Sequence, residues 1–141
     1  MANLIVEIVS PAGLVFRGEA EGVKAPGVEG SFEVLYNHAP MIAAIEVGSI
    51  RVTVPSGEHV MIATSGGFLE IVNNAVTVIA QTAELVSEID IERARAAEKS
   101  AMERLAEARD EEERKRVEAA LTRARNRVRL AMGNVGGGKK S

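Results

Sequence analysis

The chain changes character at one segment, Ser87-Glu88-Ile89-Asp90-Ile91-Glu92-Arg93-Ala94, where runs typical of strands give way to a pattern typical of helices. Residues 1–87 carry nine acidic and three basic side chains, a net charge of −6, whereas residues 88–141 carry eleven acidic and fourteen basic ones, a net charge of +3. A compact β module followed by a charged helical appendage is typical of an assembly component that can move.

The residues before this segment have the pattern of an all-β domain, in which short apolar runs alternate with turn residues. Turn clusters separate Val- and Ile-rich runs at regular intervals, which predicts about nine or ten short antiparallel strands in a sandwich or barrel. Pro55-Ser56-Gly57 and Asn73-Asn74 are typical of hairpin tips, because Pro presets φ and Gly or Asn tolerates positive φ. The paired glycines of Ser65-Gly66-Gly67 indicate a bulge or a close backbone contact more than a ligand site. The clearest strand runs are Asn3–Val9, Phe32–Tyr36, Ile50–Val54, His59–Ala63, Phe68–Val72 and Val76–Ala80.

The residues after the segment predict a two-helix hairpin. Asp110 and Glu113 have the spacing of a capping box, so Asp110 is expected to start the second helix. Each helix has one apolar stripe, but alanine dominates both stripes and Glu98 interrupts the first. Burial is worth about 25 cal/mol per Å² of apolar surface, so we expect a weakly packed hairpin that opens easily. The stripes are Ile91, Ala94, Ala101, Met102, Leu105 and Ala108, then Val117, Leu121, Ala124, Val128 and Ala131.

Length and composition limit the class of protein. A chain of 141 residues fits one domain of ordinary size, here with two unequal halves, and the absence of Cys excludes disulfides and thiolate metal sites. The start of the chain has neither a basic leader nor a long apolar run, so we expect no signal peptide. No apolar run reaches the roughly 18 residues of a membrane span. We therefore expect a cytosol-like compartment, with membrane contact only through other proteins.

No constellation of side chains predicts catalysis. His38 and His59 have neither metal-ligand spacing nor a paired nucleophile, and the many carboxylates are typical of a solvated helix face. The segment Gly133–Lys139 spells most of a phosphate-binding loop, but Lys140 replaces the Ser or Thr that would hold magnesium. We expect residues 133–141 to be a flexible tail.

Four arginines near the end of the second helix are the strongest candidates for binding. Arg123 and Arg127 share one flank of the helix, and Arg125 and Arg129 share the other. Paired guanidinium groups suit phosphate oxygens or an acidic protein surface, and a solvated cationic helix end is an equally simple interpretation. Nucleic-acid binding is the weaker hypothesis, because the pI is about 5.5 and the chain has one Tyr, three Phe and no Trp.

The order of several short motifs resembles that of the epsilon subunits of bacterial and chloroplast F-type ATP synthases. The likeness extends along nearly the whole chain and rests on the following segments: Ile8-Val9-Ser10-Pro11, Phe16-Arg17-Gly18, Glu29-Gly30, Asn37-His38-Ala39-Pro40, Ile45 to Gly48, Ser65-Gly66-Gly67-Phe68-Leu69-Glu70, Val76-Thr77-Val78-Ile79-Ala80 and Ile89-Asp90-x-x-Arg93-Ala94. Each motif alone is weakly specific, whereas their order and spacing together are strongly so.

The resemblance implies an α+β fold, with a flattened antiparallel β-sandwich of about ten strands followed by a two-helix antiparallel hairpin. It also implies a non-catalytic subunit of the central stalk that binds the gamma subunit and contacts the membrane ring of c subunits. The turn around Glu29 and His38 is the expected ring contact. The expected location is the cytoplasmic face of the bacterial plasma membrane, and no cofactor is required.

For the hairpin, the resemblance implies regulation. In many bacterial members the hairpin extends toward the alpha/beta catalytic head and inhibits ATP hydrolysis, and in some the folded hairpin binds ATP as a regulatory ligand. Members that bind ATP well carry an Arg where this chain has Ser100. In the extended form, we expect Arg123, Arg125, Arg127 and Arg129 to pair with acidic groups of the head. The positions similar to the nucleotide site are Glu84, Asp90, Arg93, Ala94, Arg123 and Arg127.

The expected organisation is a docking sandwich over residues 1–86, a regulatory hairpin over 87–132 and the tail over 133–141. The alternative function is a stand-alone adaptor or nucleic-acid-binding module that uses its Arg-rich helix. Co-purification with an ATPase head and a gamma-like subunit distinguishes the two.

Overall fold

The computed structural model describes residues 3–136, with backbone only for residues 134–136. In this part of the chain, ten strands precede a 3₁₀ turn and two helices, as the sequence predicts. The strands are β1 Leu4–Ser10, β2 Gly13–Ala20, β3 Gly22–Ala25, β4 Phe32–Leu35, β5 Met41–Ile45, β6 Gly48–Thr53, β7 His59–Thr64, β8 Gly67–Val72, β9 Ala75–Ala80 and β10 Ala83–Leu85; the 3₁₀ turn is Val86–Glu88, and the helices are α1 Ile91–Ala106 and α2 Glu111–Gly136.

The strands form two five-stranded sheets. Sheet A has the order β2-β1-β9-β8-β5 and sheet B the order β10-β7-β6-β3-β4. Every pairing is antiparallel except that of β1 with β9, which is parallel. The predicted antiparallel β-sandwich is therefore confirmed, with this one parallel pair as the exception. The alternation of apolar residues specifies which side chains face inward but not the direction of the neighbouring strand.

The sandwich core contains the inward-facing residues of both sheets. Alternate residues of β1 and β6 are buried, as expected for strands with one face covered. Branched aliphatic side chains fill the space, which suits the stiff side-chain packing of a sheet. The largest fully buried side chains are Leu4, Ile8, Ile50, Ile62, Leu69, Ile71, Val6, Val23, Val34, Val52, Val76 and Val78.

The predicted turns are confirmed. Asn73 and Asn74 both have positive φ, 49° and 63°, and join β8 to β9 as a two-residue turn of the type that matches strand twist. Gly57 has φ 93° at the tip between β6 and β7. Gly67 marks a close backbone contact, because a Cβ added there would clash with the carbonyl oxygen of Ile79.

The chain divides into two compact units between Leu85 and Val86. In the second unit, Asp90 caps α1 by accepting a hydrogen bond from the Arg93 N–H at 3.1 Å, and Asp110 caps α2 by accepting from the Glu113 N–H at 2.8 Å. The predicted Asp110 cap is confirmed. No helix in residues 3–136 is long and apolar enough to cross a membrane.

The two helices pack together along the predicted stripes, with two differences. Met102 is 49% exposed, because the row of inward residues on α1 passes through Ala101 and Leu105 instead. The second helix continues to Gly136, so the first four residues of the predicted flexible tail are helical. Residues 137–141 of that tail lie outside the described residues.

Candidate functional sites in the hairpin and on the sandwich

Two contacts define one flank of the helical hairpin. Glu98 Oε2 accepts from Arg125 Nε at 3.4 Å, and Arg95 Nη2 donates to Met132 Sδ at 3.1 Å. The helices are antiparallel, since only four residues connect them. Glu98 is therefore level with Arg125 to within about one turn.

The opposite flank of the hairpin carries most of the predicted nucleotide-site residues. On α1, Arg93 and Ser100 are seven residues apart and share one side of the helix, away from Arg95. On α2, Arg123 and Arg127 share the side away from Arg125. Because Arg95 and Arg125 both belong to the first flank, helix geometry brings these four residues to the second. We call this second flank the arginine groove.

The arginine groove offers cationic groups spread along the hairpin axis. Arg93 and Arg123 are exposed, and within residues 3–136 no hydrogen bond or ion pair engages either guanidinium group. Arg127 is half-buried and has an interaction partner. The register places Arg93 nearest to Arg127 and about 10 Å along the axis from Arg123. This spacing suits a chain of phosphates better than a single one.

The other predicted nucleotide-site residues are placed differently. Ala94 has 0% exposure on the stripe that contacts α2, so its methyl group is unavailable to a ligand in the folded hairpin. Asp90 is exposed but already uses one carboxylate oxygen in the helix cap. Glu84 lies on β10 opposite Ala63, in the first unit, and has a partner of its own.

Two of the predicted inhibitory arginines are occupied in the folded hairpin. Arg125 pairs with Glu98, and Arg129 Nη2 donates to Asn126 Oδ1 at 2.6 Å. Asn126 is only 6% exposed, although it lies on the side of α2 opposite the stripe that contacts α1. Sequence reasoning missed this residue, because its position gives no periodic signal for burial.

The predicted ring-contact residues do not share one turn. Glu29 is exposed in the turn before β4, and His38 is half-buried in the loop after it. The register of β3 with β4 pairs Phe32 with Ala25 and Leu35 with Gly22, which puts the two turns at opposite ends of β4. They are separated by about 13 Å of strand. A partner that contacts both would have to cover this edge of sheet B.

An apolar row crosses the outer face of sheet A and was not predicted. Five neighbouring strands place Ala44, Phe68, Ile79, Val9 and Leu14 side by side. Phe68, Ile79 and Leu14 are each more than half exposed. The row spans about 19 Å, four strand spacings.

A charged row lies next to this apolar row on the same face. Glu7 accepts a hydrogen bond from Arg17 Nε at 2.9 Å, and Glu70 has no ion pair among the described residues. Ile42, at the edge of the sheet, is 70% exposed. The apolar and charged rows together form what we call the sheet A surface. Exposed apolar side chains arranged contiguously are typical of a protein-binding surface.

No group of three or more His, Asp or Glu side chains in residues 3–136 is arranged to hold a metal ion. The arrangement of charged groups instead offers a cationic groove in the second unit and an apolar surface in the first. Both are suited to binding.

Two family models together match almost the entire described chain. The ATP synthase delta/epsilon chain β-sandwich domain matches residues 3–86, and the ATP synthase delta/epsilon chain long α-helix domain matches residues 87–132. The boundary between the two matches lies one residue from the division between the compact units.

Similar proteins are named ATP synthase epsilon chain. The one from Salinibacter ruber is 52% identical over 142 residues, covering 95% of both chains. Those from Desulfitobacterium hafniense and Syntrophomonas wolfei are 46% and 39% identical, covering 89% and 92% of this chain and 94% and 95% of theirs.

Solved structures with this fold include chains of two mitochondrial ATP synthases. A chain of the Euglena gracilis OSCP/F1/c-ring structure has a TM-score of 0.76 at 22% identity, covering 89% of this chain and 79% of its own length. A chain of the Tetrahymena thermophila central stalk/c-ring structure has a TM-score of 0.60 at 12% identity, covering 91% and 96%. These likenesses concern the fold. The family matches over both units and the identity to whole relatives show that this chain belongs to the family of ATP synthase epsilon chains.

Proposed function

We propose that this chain is a non-catalytic rotor subunit that helps couple proton flow to ATP synthesis in an F-type ATP synthase, and that its helices inhibit ATP hydrolysis. The observation that supports this proposal most strongly is the family match over both units, with relatives covered along nearly their whole length. The alternative of an independent adaptor or nucleic-acid-binding module has no support of this kind.

The sandwich performs the docking in this proposal. The sheet A surface binds the gamma subunit, which would bury its apolar row and offer a basic side chain to Glu70. The edge with Glu29 and His38 contacts the membrane ring of c subunits. The chain thereby lies at the cytoplasmic face of a bacterial plasma membrane, held there by other subunits.

The helical hairpin acts as a switch between a folded and an extended form. The buried residues of α1 are Ala94 and Ala101, two small side chains that contribute little apolar burial. The Glu98–Arg125 ion pair is partly exposed, with 28% and 56% exposed side chains, and such pairs contribute about 0.2–1 kcal/mol. A hairpin packed this weakly has a small enough folding free energy for a ligand or a rotor torque to shift its population.

The inhibitory form is the extended hairpin. In the folded form Arg125 pairs with Glu98, and Arg129 donates to Asn126. Opening the hairpin separates Arg125 from Glu98, and Arg125 then pairs with acidic groups of the alpha/beta catalytic head. Guanidinium–carboxylate pairs across such an interface are geometrically specific and would hold the rotor in place.

ATP binds in the arginine groove and stabilises the folded form. Arg93 on α1 and Arg123 with Arg127 on α2 lie on the same flank only while the helices are paired, so a polyphosphate that contacts all three holds the hairpin closed. Ligand binding shifts the switch by the difference between its affinities for the two forms.

Purification of the tagged chain from its source bacterium tests the assignment. We expect the chain to be recovered with an ATPase head, a gamma-like subunit and, in detergent-solubilised membranes, the c ring. A variant with Glu in place of Phe68 and Ile79 keeps the core intact and should lose the gamma-like subunit. Recovery of the wild-type chain alone or with nucleic acid would contradict the proposed function.

A further inference from the structure

Two asparagines connect the loop before β5 to the turn between β8 and β9. The Asn37 N–H donates to Asn74 Oδ1 at 2.6 Å, and Asn74 Nδ2 donates to Asn37 Oδ1 at 3.3 Å. The Asn74 carbonyl oxygen also accepts from the Ile5 N–H at 2.9 Å. Asn74 therefore joins three segments, namely β1, the β8–β9 turn and the β4–β5 loop.

The backbone alone does not require asparagine at these positions. Asn37 and Asn74 have φ of 67° and 63°, a left-handed conformation that glycine adopts at lower cost. Asparagine tolerates this conformation and adds an amide that can accept and donate at once. The reciprocal hydrogen bonds between Asn37 and Asn74 use both capacities, and we call this pair the asparagine clamp.

The asparagine clamp holds the loop that presents His38. The His38 N–H donates to Leu35 O at 3.1 Å, which closes a turn at the start of the loop, and the clamp fixes Asn37 next to it. His38 Nδ1 lies 2.7 Å from Ala39 O. A carbonyl oxygen only accepts, so the proton is on Nδ1, and Nε2 is the ring nitrogen left for a partner.

We propose that Asn74 is a positioning residue that fixes the His38 loop for docking onto the membrane ring. This inference rests on the ring contact of the proposed function and adds a residue outside the contact loop to it. A loop held in its bound conformation before docking loses less conformational entropy on binding, so the asparagine clamp slows dissociation without itself touching the partner.

The full chain is added to two assemblies that were prepared without it. The first contains the membrane ring and becomes the complete enzyme, and the second consists of the head and stalk without the ring. The test compares the rates at which the chain dissociates from the two. Asn74→Gly keeps the backbone conformation and removes the clamp. Asn73→Gly is the matched control, because Asn73 has the same type of backbone in the same turn and no part in the clamp. We expect Asn74→Gly to dissociate about three- to tenfold faster from the complete enzyme only.

Two further measurements separate positioning from a general structural role. Amide exchange of Asn37 in the free chain should accelerate about tenfold in Asn74→Gly and be unchanged in Asn73→Gly. Asn74→Asp keeps an acceptor for the Asn37 N–H, and so should restore slow dissociation. His38→Ala, which removes the docking side chain, should accelerate dissociation from the complete enzyme.

The outcomes distinguish the two levels of the proposal. If His38→Ala dissociates faster but Asn74→Gly behaves like Asn73→Gly, the ring contact stands and the positioning role of Asn74 is wrong. If Asn74→Gly accelerates dissociation from both assemblies alike, Asn74 has only a structural role. If neither His38→Ala nor Asn74→Gly changes dissociation from the complete enzyme, the ring contact fails, and the inference fails with it.

Discussion

Replacing Ser100 with Arg should tighten ATP binding to the isolated chain by about one to two decades. Ser100 lies on the flank that carries Arg93 and Arg123, and the antiparallel register puts it close to the level of Arg123. An added guanidinium group there supplies one more charge-assisted contact to the phosphates, worth about 1.5–3 kcal/mol. Titration calorimetry with ATP gives the affinity, and helix content by circular dichroism reports closure of the hairpin.

Two alanine variants show whether the arginine groove is responsible. Arg123→Ala removes an exposed guanidinium group of the groove and should abolish measurable binding. Arg116→Ala removes the same charge from the same flank of α2, about 10 Å further along the helix, and should leave ATP affinity unchanged. If neither the wild-type chain nor Ser100→Arg binds ATP measurably at millimolar concentration, the hairpin responds to rotor torque and head contacts alone.

Removal of residues 87–141 should raise ATP hydrolysis by the assembled enzyme about three- to tenfold. An increase of this size is expected if the extended, inhibited form of the assembled enzyme is more stable than the folded, active form by about 1 kcal/mol. The truncated chain ends at Val86 and keeps all ten strands with their core. It should therefore fold cooperatively, stay bound through the sheet A surface and preserve coupling of hydrolysis to proton pumping.

Glu98→Leu should change hydrolysis in the same direction by a smaller factor. Leucine at this half-buried position adds apolar burial to the helix pair, worth about 1.5–3 kcal/mol for a fully buried side chain, and gives up only a partly exposed ion pair. Glu98→Gln, which weakens the pair without adding apolar surface, is the matched control and should leave hydrolysis equal or lower. Unchanged hydrolysis after truncation, with the subunit still bound, would refute the switch.

Much of the fold could be predicted because its signals are local. Asn73-Asn74 requires positive φ within a two-residue turn, and Asp90 and Asp110 cap helices through hydrogen bonds to residues three positions away. Such interactions depend on a few neighbouring residues. The parallel pairing of β1 with β9 could not be predicted in this way, since strand direction depends on the path of the chain between them.

The candidate sites could be predicted only in part, for the same reason. Helical spacing alone identified Arg123 and Arg127 as neighbours on the second helix. Their position on the same flank of the hairpin as Arg93 followed only once the Glu98–Arg125 contact fixed the register of the two helices. Burial of Asn126 and the asparagine clamp depend on residues that are distant in sequence. The resemblance includes Ala94 among the nucleotide-site positions, and its complete burial on the stripe that contacts α2 likewise depends on the packing of the two helices.

The central claim is that the folded hairpin permits hydrolysis and the extended one blocks it. Because the chain has no Cys, cysteines introduced at Arg95 and Met132 would be its only two. Both positions are exposed, and their side chains contact each other across the flank opposite the arginine groove. A short bismaleimide joining them in the isolated chain locks the helices together before assembly.

Hydrolysis by the assembled enzyme with this locked chain is the most direct measurement. The account predicts a rate equal to that with the chain truncated at Val86, whereas the same double-cysteine chain blocked by a monofunctional maleimide should remain inhibited like the wild type. A locked chain that inhibits as strongly as the blocked one would contradict the account, because inhibition would then occur without extension of the hairpin.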